Sequence, residues 1–305
     1  MYHRVLPPHK VDKKIQPGMY VLDKTFKMHL EALKNFFAII SLDQAVDRVA
    51  SLSNSSSKPI CCLTFDDGWA DFYEYAYPLL KSFNVPATVF LPTDYISSTK
   101  KFWTDVLAEL IEKDIELKVD SVSSNNSLKE TIFKINRLKT AFEKKLEYAI
   151  ENLKNYPQRI IEKILKDSAL SHESLFGVNA PLFLNWEQIR EMKSSSLISF
   201  GSHTCRHRIL TTLKEEEISS ELEESKKKLL EENVCDKGFI PFCYPNGNYN
   251  SKIVRMVRKT GYHMAVTTNN GWNKTQADLF TLKRIGIHND MTFTTAMFLE
   301  RLVRG

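Results

Sequence analysis

The sequence is poor in cysteine and has no arrangement of it that could carry structure or a metal. Five cysteines occur in 305 residues: Cys61, Cys62, Cys205, Cys235 and Cys243. The number is odd, two are adjacent inside an apolar run, and no CxxC spacing occurs. This excludes a disulfide scaffold and a thiolate zinc site and fits a reducing compartment. No apolar run is long enough to span a bilayer, and the N-terminus lacks a signal-peptide pattern. The expected location is therefore cytoplasmic, with peripheral membrane association the only membrane contact left open. Met1 leads directly into a strand-like Tyr2-His3-Arg4-Val5, so the reading allows for residues upstream. No dense Lys/Arg run occurs. The 42 basic and 37 acidic residues leave a net charge of only +5, too mild for a nucleic-acid binder. The remaining composition, 43% hydrophobic and 26% charged, is that of an ordinary globular chain.

What is present is an alternation of short apolar strands and amphipathic helices. Strands are expected at Ala38–Ser41, Pro59–Phe65, Ala87–Leu91, Leu197–Gly201, Phe239–Tyr244, Met264–Thr268 and Leu282–Ile287. Helices are expected at Phe26–Phe37, Leu42–Val49, Asp71–Phe83, from Asn185, and at Lys214–Asn233, the last charged and solvent-facing. Asn185 and Gln188 have capping-box spacing. Pro59–Phe65 is continuously apolar, as in a strand buried on both faces of a parallel sheet. Repeated βα units imply a parallel sheet or barrel. Residues 104–184 break the rhythm with a polar loop at Asp120–Ser127 and a long helical pattern from Leu128 to Leu153. They read as a helical insertion within a single domain covering 1–305. The serines of 51–57 read as an exposed loop.

Three motifs follow strands, where parallel α/β folds keep their chemistry. In Thr64-Phe65-Asp66-Asp67-Gly68 two adjacent carboxylates would raise one another's pKa unless a cation intervened. A divalent metal ligated by one Asp would leave the other as a base. An Asp-Gly turn capping the next helix is the competing reading. In His203-Thr204-Cys205-Arg206-His207, two imidazoles four residues apart can converge on one ion. Two His and one Asp leave coordination positions open, as in a catalytic site. In Cys243-Tyr244-Pro245-Asn246-Gly247, a turn could present backbone N–H groups to an oxyanion, or be a turn and nothing more. Trp103, Tyr249 and Trp272 could stack on sugar rings or simply pack. His3, at the end of the first strand, is expected near the site mouth; His9, His29, His172 and His263 read as surface or satisfied core residues.

Together these motifs resemble the polysaccharide deacetylases, the NodB-homology enzymes of carbohydrate esterase family four. The resemblance extends from Tyr2-His3 to Ile287 apart from the insertion. It implies a distorted (β/α)7-type barrel and metal-dependent removal of N-acetyl groups from amino sugars. It casts Asp66 as general base and Asp67, His203 and His207 as ligands of a zinc ion, with cobalt or nickel as alternatives. The third motif departs from the family: Cys243 stands where an Arg is usual and Asn246 where a Tyr is usual. A branch with Tyr-Pro in this turn is similar to Tyr244-Pro245. Tyr244, Pro245 and Asn246 are the substrate-side candidates. Arg284 is the candidate to replace the missing Arg in orienting the base, and His288 the candidate general acid. No clear counterpart of the usual fourth motif appears.

Two alternatives stay open: a non-catalytic glycan-binding protein of the same fold, and an esterase for O-acetyl groups. The expected partner is an N-acetylated glycan or a lipid- or nucleotide-linked sugar precursor. Residues 251–305 hold nine Lys/Arg against three Asp/Glu, which suggests an anionic group on that substrate.

Overall fold

The computed structural model describes every residue except 17, 52–57, 120–124, 171–180, 236 and 275. Most of the serine-rich loop, part of the polar loop expected from Asp120, and His172 therefore lie outside the described residues. The chain divides into two compact units. One comprises residues 1–10, 18–98 and 181–305, the other residues 11–17 and 99–180.

The first unit is built on parallel strands. They are β1 (Arg4–Leu6), β2 (Tyr20–Leu22), β3 (Ala38–Ile39), β4 (Ile60–Cys61), β5 (Leu63–Phe65), β6 (Ala87–Leu91), β7 (Ile198–Ser202), β8 (Pro241–Cys243) and β9 (Met264–Val266). β5-β6-β7-β8-β9 form one sheet in that order, while β1 pairs with β2 and β3 with β4. The apolar run from Pro59 is thus split at Cys62 between two sheets. Leu282–Ile287 is not a regular strand, yet it continues the sheet. Leu282 bridges Val266 in parallel, and the Thr267 amide donates to the Leu282 carbonyl. The Ile287 amide then donates to the Met1 carbonyl, and Tyr2 bridges Phe65 of β5. Hydrogen bonds therefore pass round seven staves and return to their start, giving a distorted (β/α)7-type barrel. At Arg284 the stave's amide bonds instead to the Asn269 carbonyl, which interrupts the regular ladder.

Helices alternate with the staves, as at Asp23–Phe36, Trp186–Ser194, Glu215–Glu231 and Ser251–Lys259. Asn185 caps its helix as expected, accepting from the Gln188 amide while the Gln188 side chain accepts from the Asn185 amide. The helix expected at 71–83 begins as a π-turn, Phe72–Ala76, and becomes α only at Tyr77–Phe83. Pro78 accounts for this: its ring removes one amide donor and disfavours an α-type bond to the preceding turn. Phe65, Phe90, Phe200 and Phe242 are each at most 2% exposed and fill the interior. Truncating one of them would cost roughly 3–5 kcal/mol. Gly201 is required where β7 meets its neighbours. A Cβ there would sit 2.6 Å from the Pro241 carbonyl oxygen and 2.8 Å from the Phe90 ring.

The second unit is helical: Trp103–Glu112, Asn126–Arg137, Phe142–Leu153 and Gln158–Ala169. The long pattern from Leu128 to Leu153 is two helices, broken after Arg137, and Pro157 precedes the last. Its own core includes Leu107, Leu110, Leu128, Ile132, Leu146, Leu153 and Ile164. Among the described residues no helix is long and apolar enough to cross a membrane.

Candidate active site

The parallel staves point their C-terminal ends the same way, and three of them end in the motifs. β5 runs into Asp66-Asp67-Gly68, where Asp67 (φ 73°) and Gly68 (φ 64°) are both left-handed. β7 runs into His203–His207, with Thr204 (φ 65°) and His207 (φ 53°) also left-handed. Such backbone at residues other than glycine costs roughly 1–3 kcal/mol each and persists only where surrounding contacts hold it. β8 runs into the turn at Pro245–Gly247, with Asn246 at φ 54°. There Gly247 is obligatory, because a Cβ would lie 1.8 Å from Thr268 Oγ1.

Asp67 is 3% exposed, and its two oxygens have different partners. Trp69 Nε1 donates to Oδ2 at 3.1 Å. Oδ1 lies 3.5 Å from His203 Nε2 and 3.3 Å from His207 Nε2. His203 Nδ1 donates to the Cys243 carbonyl at 2.8 Å, so Nε2 is the ring nitrogen that faces Asp67. One carboxylate oxygen and two imidazole nitrogens thus lie within 4.8 Å of one another. This is a mixed oxygen and nitrogen donor set suited to zinc-like ions, with hydrogen bonds behind Asp67 and His203. Thr204, between the histidines, keeps a buried hydroxyl with no hydrogen-bond partner. The residues fit a divalent metal. A second grouping, Asp66, His203 and Cys243, fits one poorly, because a guanidinium already occupies Asp66.

That guanidinium is Arg284. Its Nη1 and Nη2 donate to Asp66 Oδ1 and Oδ2, both at 2.7 Å, and its Nε to the Thr267 carbonyl at 2.8 Å. Nη2 also lies 3.2 Å from Cys243 Sγ. Arg284 thus sits against the residue that stands where the family has its Arg. Burial alone would raise the Asp66 carboxyl, but Arg284 outweighs it by charge and hydrogen bond and lowers it to about 2. Asp67 is likewise held below the carboxylate range, its burial outweighed by the histidines. Burial lowers His207 to about 4 despite the nearby Asp67, leaving it neutral at pH 7.

The substrate-side candidates separate. Tyr244 is fully buried, its hydroxyl donating to the Phe280 carbonyl at 3.0 Å, and Pro245 is buried beside it. Only Asn246 has an exposed side chain. His288 precedes the short helix Asn289–Thr292, and its ring is hydrogen-bonded to Asp290. His3 feels the charges of the site: burial lowers its pKa, opposed by Asp67 and Asp66. Its only sequence signal is its position at the head of a stave. Trp272 stacks on Phe37 and donates to the Leu302 carbonyl, and Tyr249 stacks on Tyr244. The basic surplus of 251–305 is partly neutralised locally. Lys252 pairs with Glu215, Arg258 with Asp278, Arg284 with Asp66 and Arg304 with Glu300.

The sequence profile of the family described as "Polysaccharide deacetylase" matches residues 53–174 and 160–265. The chain belongs to the polysaccharide deacetylase family. The match takes in Asp66, Asp67, His203 and His207 and stops short of Arg284 and His288. The Bacillus subtilis protein YxkH, named for the same family, is 34% identical over 109 residues, which is 36% of this chain and 38% of that protein. Among solved structures, the Streptococcus pyogenes deacetylase PplD, in complex with acetate, is 20% identical with a TM-score of 0.63, over 99% of this chain and 96% of that one. A polysaccharide deacetylase from Bacillus cereus gives 19% and 0.60 over 99% and 67%. IcaB from Ammonifex degensii gives 17% and 0.59 over 97% and 93%. These likenesses concern the fold, and the deacetylase barrel is the one described above.

Proposed function

We propose that the chain is a metal-dependent carbohydrate N-deacetylase that hydrolyses the acetamido group of a glycan or a glycan precursor. One observation carries the reading. A base candidate clamped by a guanidinium stands next in sequence to a carboxylate that faces two imidazoles, all at the C-terminal end of the barrel. A zinc-like ion held by Asp67, His203 and His207 would supply an acidified water and polarise the acetyl carbonyl.

The chain's own residues divide the remaining work. Asp66 is ionised at all working pH values and takes the proton of the attacking water. Both its oxygens are bonded to Arg284, and Oδ2 also accepts from the Cys243 thiol at 3.5 Å, so Oδ1 is the oxygen that keeps a lone pair for that proton. Arg284 fixes the carboxylate's orientation through its two parallel hydrogen bonds. The Asn246 backbone amide is the donor candidate for the developing oxyanion, the Gly247 and Asn248 amides being bonded within the turn. The departing amine needs a proton, and two histidines compete to give it. His288 is the candidate from the sequence pattern. His3 is electrostatically coupled to Asp66, Asp67 and His203, but burial lowers its pKa, so it carries a proton less readily than an ordinary imidazole and His288 stays the better candidate.

The non-catalytic alternative draws on the altered third motif. With Arg284 on Asp66 from another stave, that motivation weakens. The choice between N-acetyl and O-acetyl bonds is read from products: acetate and free amine from N-acetylated oligosaccharides support the proposal. Asp66→Asn should lower that release by at least about a hundredfold while one metal per chain remains bound. Near-normal release from Asp66→Asn removes the base assignment. Release only from O-acetylated glycans replaces the deacetylase with an esterase. His288→Ala should reduce turnover more than His3→Ala, and the reverse order moves the acid role to His3.

A further inference from the structure

The loop carrying both imidazoles is held by a side chain that takes no part in the chemistry. Thr204 and His207 are left-handed, and something must keep them so. On one side the loop's carbonyls are fixed. The Thr93 amide donates to the Thr204 carbonyl at 3.1 Å and the Asp94 amide to the Cys205 carbonyl at 3.0 Å. On the other side its amides converge on one carboxylate. Glu221 Oε2 accepts from the Cys205 amide at 3.0 Å and from the Arg206 amide at 2.8 Å. Oε1 accepts from Arg206 Nη1 at 3.0 Å. Successive amides around a left-handed residue form a concave anion site, and here the anion comes from the protein itself.

Glu221 is completely buried on a helix whose other acidic residues face solvent. A carboxylate is rarely buried without a task for its charge. Arg206 is 40% exposed, so the guanidinium can leave, while the two amides cannot. Among the described residues, Glu221 is the ionisable side chain to which the Cys205 and Arg206 amides bond. Its removal would leave two successive amides of this strained loop, those of Cys205 and Arg206, without their acceptor.

We propose that Glu221 is a positioning residue that sets the second histidine, His207, against Asp67 and His203 by gripping the loop between them. This rests on the reading of those three residues as metal ligands. Partners behind metal ligands change affinity by about 10–100-fold when removed, and Glu221 acts one step further back, through the backbone.

The test is cobalt(II) binding to the metal-stripped full chain, with affinity read from the titration and geometry from the visible absorption band. Thermal melts of each stripped protein verify folding. Glu221→Ala and Glu221→Asp should weaken binding at least about tenfold and shift the band. The shorter Asp keeps the charge but cannot reach the amides. Glu221→Gln retains one oxygen able to accept both amides and should bind within about threefold of the parent. Arg206→Ala should also bind like the parent. If Glu221→Ala does not fold, the Glu221→Asp titration decides. A folded Glu221→Asp with a lower melting temperature but parental affinity and band shows a merely structural role and overturns the inference. A parent chain that takes up no cobalt overturns the metal centre itself, and the inference with it.

Discussion

At the scale of single residues, the Asp66–Arg284 pair decides how the site behaves with pH. Asp66 is lowered to about 2 from an ordinary value of 3.8. Its contribution to stability is therefore fully present above about pH 4 and is lost as pH falls through about 2. The gap corresponds to about 2 kcal/mol. Arg284→Met should remove that acid-range contribution and leave a buried, unpaired carboxylate, costing about 3–5 kcal/mol at pH 7. Urea unfolding at pH 7 and pH 3 checks both parts. An unchanged midpoint at pH 7 would show that the pair is not a closed buried bridge. The two Asp and two His are legible in the sequence because each pair sits within five residues directly after an apolar strand. Arg284 stands 218 residues from Asp66, and only a gap in the expected third motif points to it. Glu221 is not legible at all. On its helix it is one glutamate among many, and nothing but burial sets it apart.

At the scale of elements, the strands are legible from apolar runs, but their continuity is not. Pro59–Phe65 satisfies two sheets in turn, and periodicity cannot show where one partner is exchanged for another. Leu282–Ile287 has the pattern of a strand and instead bonds alternately to β9, to Asn269 and to Met1, which places the Arg284 side chain on Asp66. The helix Asp23–Phe36 has a comparable hidden tie. His29, structural by its sequence pattern, is fully buried on this helix. Its Nε2 donates to the Thr292 carbonyl at 2.8 Å, leaving Nδ1 as the acceptor for the Tyr2 hydroxyl at 3.3 Å. Its ring stacks on Phe298. Burial lowers its pKa to about 4. Between about pH 6.5 and 4 the unfolded chain binds a proton that the folded one refuses, so stability falls as pH drops through that window. The share from His29 is about 3 kcal/mol. His207 adds to the slope in the same direction. His29→Gln should flatten the slope by about one proton, measured from urea midpoints between pH 7.5 and 4.5. A variant with the parental slope would place the titrating group elsewhere.

At the scale of the whole molecule, every residue assigned to the chemistry belongs to the first unit: Asp66, Asp67, His203, His207, Arg284, His3 and His288. The second unit has its own apolar core and supplies none of them. Its excursion also leaves and re-enters the barrel at adjoining points. The Ser97 amide donates to the Leu184 carbonyl at 3.0 Å, and the Trp186 amide to Ser97 Oγ at 3.0 Å. The cost of closing a loop grows only slowly with its length, so shortening this excursion should disturb the barrel little. Replacing residues 99–180 by a short Gly-Ser linker should therefore leave a folded barrel. Cobalt(II) affinity should stay within about threefold, because losing a hydrogen-bond partner behind a ligand costs more than this. Turnover of acetylated oligosaccharides then divides the roles. Parental kcat/KM would make the helical unit irrelevant to the substrate. A raised KM with unchanged metal affinity would assign it to glycan recognition. A deletion chain that neither folds nor binds cobalt would show that the barrel depends on the insertion, against the independence implied by separate cores.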